Sequence, residues 1–470
     1  MGGEKTSWTA DTLMSDFARR PLRRGLSICA IAVAVSALVA AGALAKAGDP
    51  DPGFDGEGRL VIKAAGETTK GNFEVTRLPS ISMASAAGPK GELVAANRRR
   101  VFRYRASGRP REHFGGDGRV AIPTPAGTSF QLAGVVVDSG GRVLVAGTTE
   151  PMGAGGGSLD ARVSVYRFMP DGKIDRSFGV HGVAGASLGP MEATGIALDS
   201  LNRPVLTGFT ALTPFACRMT SIYRNTTTVA RLTTSGSPDR TFAGGDGIFT
   251  DPLEDPHLPT LTAGDQVVYV SAPDQRCADP DAGSVPVASI LSPGGDLALR
   301  FPVSSRGSYL LEATSLAVDG QNRIVILVTG SLPEGGGFRQ DVYRLLPDGS
   351  PDPEFGVNYG VVGSVSSPGP AGSRLGAVTT DRRNRVILAG SSALRQGRGF
   401  LAVRLSAAGR LQTWFGDDGA AKAGFGRRAE ATATQVHLDS RGRIVLGGTV
   451  EAPWLPTGFG LAFARFSGGR

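Results

Sequence analysis

Few side chains in this chain have the types and spacing that catalysis or metal binding needs. It holds four histidines and three cysteines among 470 residues. His113 and His181 flank turns, and His257 lies in a proline-rich stretch. None of them has a second His or Cys at zinc-ligand spacing. No nucleophile elbow and no phosphate loop occurs. Gly116-Asp117-Gly118 and Gly245-Asp246-Gly247 read as turns, because calcium asks for more carboxylates than these segments carry. Asp49, Asp51, Asp55 and Glu57 come nearer to a ligand set, but their spacing fits no calcium loop. These grounds give no catalytic residue, no cofactor and no metal site. His437 stands apart: it occupies a column of a recurring pattern that otherwise holds Ala86, Val136, Ala197, Ala317 and Thr379. Placed on a first strand, it is a possible channel residue, and it reads as a buried structural histidine, with a catalytic one as the alternative.

That pattern is the main content of the sequence. Its clearest copy runs Gly134-Val135-Val136-Val137-Asp138, a turn, then Arg142-Val143-Leu144-Val145-Ala146-Gly147. Val163 to Phe168, Pro170-Asp171-Gly172 and Ile174 to Gly179 complete it. Marker phenylalanines recur at Phe54, Phe114, Phe178, Phe242, Phe301, Phe355 and Phe415, at intervals of 60, 64, 64, 59, 54 and 60 residues. Each unit predicts four short antiparallel strands with tight turns. Such a unit cannot bury both faces alone, and stacking around an axis solves this. The chain finishes on a third strand, Leu461 to Phe466, and the mature part opens on Asp51 to Gly58, read as a lone fourth strand. The expected fold is therefore all-β: a seven-bladed β-propeller of four-stranded antiparallel blades, closed by the N-terminal strand completing the last blade. It fills residues 48–470 as a single domain.

Gly172-Lys173-Ile174-Asp175-Arg176-Ser177-Phe178-Gly179 and Val403-Arg404-Leu405 resemble the delta-60 repeat family. The resemblance extends over nearly all of residues 49–470 and implies a propeller-like, often exported protein with no assigned chemistry. The copy around Leu291–Phe301 is degenerate, with Pro302 replacing the glycine after the marker. Repeated residues build the repeat. Arg103, Arg167, Arg231, Arg344, Arg404 and Arg465 share one place on the third strand. Asp138, Asp199, Asp319, Asp381 and Asp439 share the first turn. An Arg–Asp or Arg–carbonyl clamp is expected between them.

Residues 1–47 read as a signal peptide, or as an uncleaved membrane anchor. Arg19, Arg20, Arg23 and Arg24 precede an uncharged stretch from Leu26 to Ala45, which ends in Ala45-Lys46-Ala47. The protein is expected outside the cytoplasm, secreted or anchored by residues 26–45. The net charge is +8, of which residues 1–47, with six basic and three acidic side chains, carry +3. The rest is too mildly basic for a nucleic-acid footprint, and Arg98-Arg99-Arg100 reads as a solvated loop.

Departures from the repeat fall in the loops between second and third strands: Thr149–Ala161, Phe209–Thr228, Ser271–Ser284, Ser331–Phe338 and Glu451–Thr457. One face is thus elaborate and the other trimmed. The reading is a non-enzymatic binding or scaffold module for a protein or glycan of the cell envelope. The alternative is a propeller enzyme, a lyase or hydrolase, acting at the channel mouth. Signal removal takes Cys29 and leaves Cys217 and Cys277 in equivalent loops of adjacent units. A disulfide between them is expected in an oxidising compartment. It would contribute about 4 kcal/mol in the chain-entropy picture. Thiol labelling of non-reduced, secreted protein should leave both cysteines unmodified; full labelling of both would refute the bond.

Overall fold

The structure is a computed structural model. It describes residues 46–63, 83–152, 160–217, 220–252, 259–271, 285–303, 311–331, 338–358, 361–362, 364–366, 368–456 and 458–469. The chain divides into two units, Met1–Ala45 and Lys46–Arg470. The expected apolar leader lies in the first, outside the described residues. Among those described, no helix is long and apolar enough to cross a membrane.

The fold is all-β. Runs of Val, Leu, Ile and Ala make four-stranded antiparallel sheets with Asp, Asn and Gly in the turns. The first sheet comprises Met83–Ala87, Leu93–Asn97, Arg100–Tyr104 and Arg119–Ala121. The second comprises Thr128–Val137, Val143–Pro151, Arg162–Phe168 and Val183–Ala184. The third is Glu192–Leu198, Pro204–Cys217, Thr220–Arg231 and Ile248–Asp251. The fourth is Thr260–Leu261, Val267–Ser271, Val287–Leu291 and Leu297–Pro302. The fifth is Leu311–Val318, Ile324–Ser331, Phe338–Leu345 and Ser364–Ser366. Val357–Asn358 and Val361–Val362 pair in a small two-stranded sheet, and the remaining strands form one mixed eight-stranded sheet. Its sixth-repeat half is Arg374–Thr380, Val386–Leu394, Gly397–Leu405 and Ala420–Ala423. Its seventh-repeat half is Ala429–Leu438, Ile444–Glu451 and Phe459–Phe466, with the N-terminal strand Arg59–Lys63. A short parallel bridge, Gly397 to Ala429 and Arg398 to Glu430, fuses the halves. These are called sheets one to seven below.

Arg59–Lys63 pairs antiparallel with Phe459–Phe466, with Arg59 opposite Ala464. The expected strand at Asp51–Gly58 is instead a turn, and the strand follows it. The same holds for the other markers: Phe114, Phe178, Phe242, Phe355 and Phe415 sit in turns before short outer strands. Phe301 alone lies within its outer strand. A second correction concerns Phe209–Thr228, expected as a loop. The two strands run on as one long hairpin, with Cys217 opposite Thr220.

Apolar clusters lie between consecutive sheets. Leu327, Val342, Leu388 and Val403 pack sheet five on sheet six. Leu60, Ile62, Met83, Phe102, Val445 and Phe463 join sheet seven to sheet one. Fully burying one such side chain is worth roughly 1.5–3 kcal/mol.

The clamp is present with the expected carbonyl, but its acid is not the first-turn aspartate. Each first-turn aspartate binds the arginine four residues on, as Asp199 accepts from Arg203 Nε at 2.6 Å. The third-strand arginine instead donates to an acid in the marker turn: Arg167 to Asp175 at 2.8 Å, Arg231 to Asp239 at 2.7 Å, Arg344 to Asp352 at 2.7 Å. Arg465 finds the same acid at the other end of the chain, donating to Asp51 at 2.7 Å. Burial works against the Asp239 charge. Bonds from the Thr241 backbone and hydroxyl, and the Arg231 guanidinium, still hold its carboxyl below the usual range. The guanidinium then stacks on the marker ring, 4.3 Å from the Phe178 centroid in sheet two and 4.6 Å from Phe242 in sheet three. Its last arm crosses the seam. Arg167 donates to the Thr234 carbonyl, Arg231 to Pro293, Arg344 to Ala407, Arg404 to Gly468, Arg465 to Ala106 and Arg103 to Gly141.

Three copies depart from this scheme. In sheet one Arg111 replaces the acid, and Glu92 supplies the carboxylate to Arg103 at 2.9 Å. In sheet four Ile290 stands in the arginine's place, opposite Val268. In sheet six the acid is Gln412. There Arg404 is fully buried, and both its Nε and the Gln412 Oε1 lack a partner. A buried cation without its counter-charge is costly. Gln412→Asp should therefore raise stability by about 1–3 kcal/mol, read as a higher midpoint in chemical denaturation. An unchanged or lower midpoint would mean that the clamp needs no acid there.

Candidate functional site

The inner strands carry a shared irregularity. Their register with the second strand slips at Leu132/Gly134, Ala193/Gly195, Ala313/Ser315, Leu375/Ala377 and Ala433/Gln435. One extra residue on one strand is a β-bulge, which bends the strand and re-aims its side chains. In four of the five the second strand accommodates it with glycine; in sheet five Val328 stands there. A Cβ on Gly390 would lie 1.9 Å from the Arg374 carbonyl oxygen, and one on Gly208 2.0 Å from that of Glu192.

In sheet seven the segment before the bulge alternates strictly. Ala429, Ala431 and Ala433 are buried, while Glu430, Thr432 and Thr434 are exposed. Glu430 stands directly opposite Glu451 on the second strand. Residues opposite one another across antiparallel strands project to the same face, with Cβ atoms about 5 Å apart. Both glutamates are exposed, and among the described residues neither has an ion pair. Two like charges so placed repel. An arrangement that costs stability marks a place to look for function.

Further groups surround the pair. Arg398 lies beside Glu430 in the parallel bridge. Its Nη2 donates to the Gly372 carbonyl and the Ser391 hydroxyl, at 3.3 Å each. Arg427 Nε donates to Gln396 Oε1 at 3.0 Å. The loop after Glu451 presents Trp454, which is 45% exposed, while Leu455 beside it anchors the loop in the core. The indole nitrogen is 3.1 Å from where a Cβ on Gly426 would be, so the ring lies over that glycine. The loop face between sheets six and seven thus holds two carboxylates, an exposed aromatic plane and guanidinium groups. Such a set can move protons, stack on a ring and hold an anion.

His437 does not join this set. It is on the inner strand opposite Val445, seven residues beyond Glu430. That is about 20 Å of strand. It is half-buried, and its enclosure by protein pushes the imidazole down to about 4, against the opposing effect of Asp439. Cys217 ends the long hairpin of sheet three. Cys277 lies outside the described residues, and with it the expected bond. Asp51, considered as a metal ligand, is committed to Arg465 and Arg443. Sequence reasoning missed Glu430 because it belongs to no repeat column, and Glu451 because, of the other sheets, sheet two matches it with Glu150 but pairs that residue with Ser129. A signal was available: both stand at the open ends of strands whose hairpin turn was already identified.

The profile of a family described as "Domain of unknown function (DUF5122) beta-propeller" matches residues 320–355. These span the second and third strands of sheet five and the following marker turn. Together with the four-stranded sheets, the match supports a β-propeller repeat fold. No curated protein matches the chain. Among solved structures, a protein of unknown function from Dyadobacter fermentans is 13% identical, with a TM-score of 0.45, over 74% of this chain and 97% of that one. An alpha-L-arabinanase from Penicillium chrysogenum is 12% identical, with a TM-score of 0.40, over 71% and 92%. An ulvan lyase of a new polysaccharide lyase family is 9% identical, with a TM-score of 0.44, over 86% and 94%. The expectation of a non-enzymatic module is corrected here: the structures this chain is similar to are mostly described as enzymes. At these values the likeness transfers no substrate and no residue role, so the enzymatic reading is argued below from the residues themselves.

His437 allows a test of the inner strand. Folded, it stays neutral down to about pH 4; unfolded, it takes a proton below about 6.5. The unfolded state therefore binds more protons between these values, and stability falls as pH drops through them. His437→Gln should weaken the loss of thermal stability between neutral pH and about pH 5. Identical pH dependence in wild type and variant would place the imidazole in open water.

Proposed function

We propose that this protein is a hydrolase or lyase acting on glycosidic linkages at the mouth of a closed, seven-bladed propeller of delta-60-like repeats. The pairing of Arg59–Lys63 with Phe459–Phe466 supports closure, as does the apolar cluster between sheets seven and one. The degenerate sheet four still has four strands, which supports the count. The basic and apolar leader supports action outside the cytoplasm.

The observation that carries the enzymatic reading is the exposed cross-strand pair Glu430 and Glu451. Cleaving a glycosidic bond needs two carboxyl groups in different protonation states. In hydrolysis, one gives its proton to the departing oxygen. The other takes a proton from the attacking water, or attacks the sugar carbon itself. In elimination, a carboxylate removes the proton next to a uronate carboxyl while the other group protonates the leaving oxygen, and a double bond forms. Mounting both on strands, rather than on loops, fixes their separation. Trp454 supplies a flat apolar surface for a sugar ring.

The test is turnover on a panel of neutral and acidic polysaccharides, read as new reducing ends and as ultraviolet absorbance of unsaturated products. Glu430→Gln and Glu451→Gln should each lose at least about 100-fold in rate. Neither should lose thermal stability, since each removes a like-charge contact. Full turnover in both variants, or none by wild type anywhere on the panel, would overturn the reading.

A further inference from the structure

We infer that the loop face of sheets six and seven binds an anionic polysaccharide through Arg374, Arg395, Arg398, Arg427 and Arg428. Third-strand arginines such as Arg167, Arg231 and Arg344 are structural, committed to an acid and a carbonyl. Other arginines, Arg105, Arg176 and Arg240 among them, are exposed but scattered, whereas these five lie together. Among the described residues none of them makes an ion pair, and four are exposed, with Arg398 half-buried. All five lie at one end of two adjoining sheets. Arg374 begins the inner strand of sheet six, opposite Ser391. Arg395 is in the tight turn between Leu394 and Gly397. Arg427 and Arg428 lead from sheet six into sheet seven.

Direct contacts tie the group together. Arg398 adjoins Glu430 in the bridge and reaches Gly372, two residues before Arg374. Arg427 reaches Gln396, the neighbour of Arg395. Trp454 covers Gly426, the neighbour of Arg427. Five positive charges thus share one loop face with two carboxylates and one exposed indole. The excess of positive charge favours an anion, and the planar guanidinium matches carboxylate or sulfate groups with two parallel bonds. The indole favours a ligand with a ring face. A polymer carrying one anionic group per sugar meets all three features: its charges can rest on the arginines while an uncharged linkage crosses Glu430 and Glu451. A nucleic acid fits less well, because its own charges lie along every linkage and would face those carboxylates.

This inference shares its site with the proposed enzyme, but its readout is binding. Wild type and Glu451→Gln would be titrated with a polyuronate, a sulfated dextran, neutral dextran and single-stranded oligothymidylate. Both proteins should bind an anionic polysaccharide, more weakly with added salt, and leave neutral dextran unbound. The polyuronate and sulfated arms identify which anionic group is read. Arg395→Glu/Arg427→Glu/Arg428→Glu should weaken binding at least tenfold at unchanged thermal stability. The charge-matched control Arg98→Glu/Arg99→Glu/Arg100→Glu should leave it intact. Equal weakening by both triple variants, tighter binding of the oligonucleotide, or no binding of either anionic glycan would overturn the inference. Binding without turnover would overturn only the enzymatic reading, and turnover of a neutral glycan without anion binding only this one.

Discussion

A guanidinium out of water, held by an acid, a ring and a carbonyl, is the interaction on which this architecture turns. The third-strand arginine draws on three sources at once. The acid and the marker ring come from its own repeat, and the carbonyl comes from the next. Burying such a cation alone would be prohibitive, so each of its groups must stay where it is. That requirement fixes the length of the turn between third and outer strands and the place of the phenylalanine within it. It also sets the stagger of one sheet on the next. Apolar packing supplies most of the free energy of the seams, but it is non-directional. The clamp supplies the register.

Its omissions are as informative as its presence. Between sheets four and five the crossing arm is missing, because Ile290 has no guanidinium. The neighbouring backbone bond, made by Gly179 to Ser235 between sheets two and three, has no counterpart either, since Pro302 has no N–H. Apolar contact takes over, with Val268, Ile290, Ile326 and Tyr343 in one cluster. At the inner turns a bond remains, as Ala263 donates to Asn322 at 3.0 Å. A polar connection is added one seam earlier, where the Tyr269 hydroxyl donates to Asp251 at 2.6 Å and Arg300 donates to the same carboxylate. Burial and the nearby carboxylate push the Tyr269 phenol up. The candidate site lies elsewhere, where a backbone bridge fuses sheets six and seven into the most continuous part of the molecule.

What the sequence made legible follows from where information repeats. Arg167, Asp175 and Phe178 recur at fixed offsets, so strand order and the all-β class were readable without coordinates. The choice of partner was not. Asp138 and Asp175 are both within reach of a clamp in one dimension, and only the turn geometry gives Arg142 to the first and Arg167 to the second. The bulges were hidden for a related reason. They change register without changing composition, and a one-residue slip moves every side chain beyond it to the other face. Glu430 and Glu451 face each other only in the register fixed on their side of the Ala433/Gln435 slip. Reading that pair from sequence would have required knowing why Gly448 is a glycine: a Cβ there would meet the Thr432 carbonyl oxygen at 2.0 Å.

The pairing of Arg59–Lys63 with Phe459–Phe466 has a kinetic side. Neighbouring strands of a hairpin meet within microseconds, whereas these two are separated by some four hundred residues of chain. Contacts so distant in sequence are slow, because the intervening loop must be ordered before they return any free energy. Until then Asp51 is absent from beside Arg465, and a buried cation has no counter-ion. Until that pairing forms, the outer edge of sheet seven is unpaired. An unpaired edge next to exposed apolar residues is a point of attack for other chains. Arg59, charged and half-exposed at the start of the incoming strand, and Lys63, exposed at its end, are the kind of residues that discourage such mispairing.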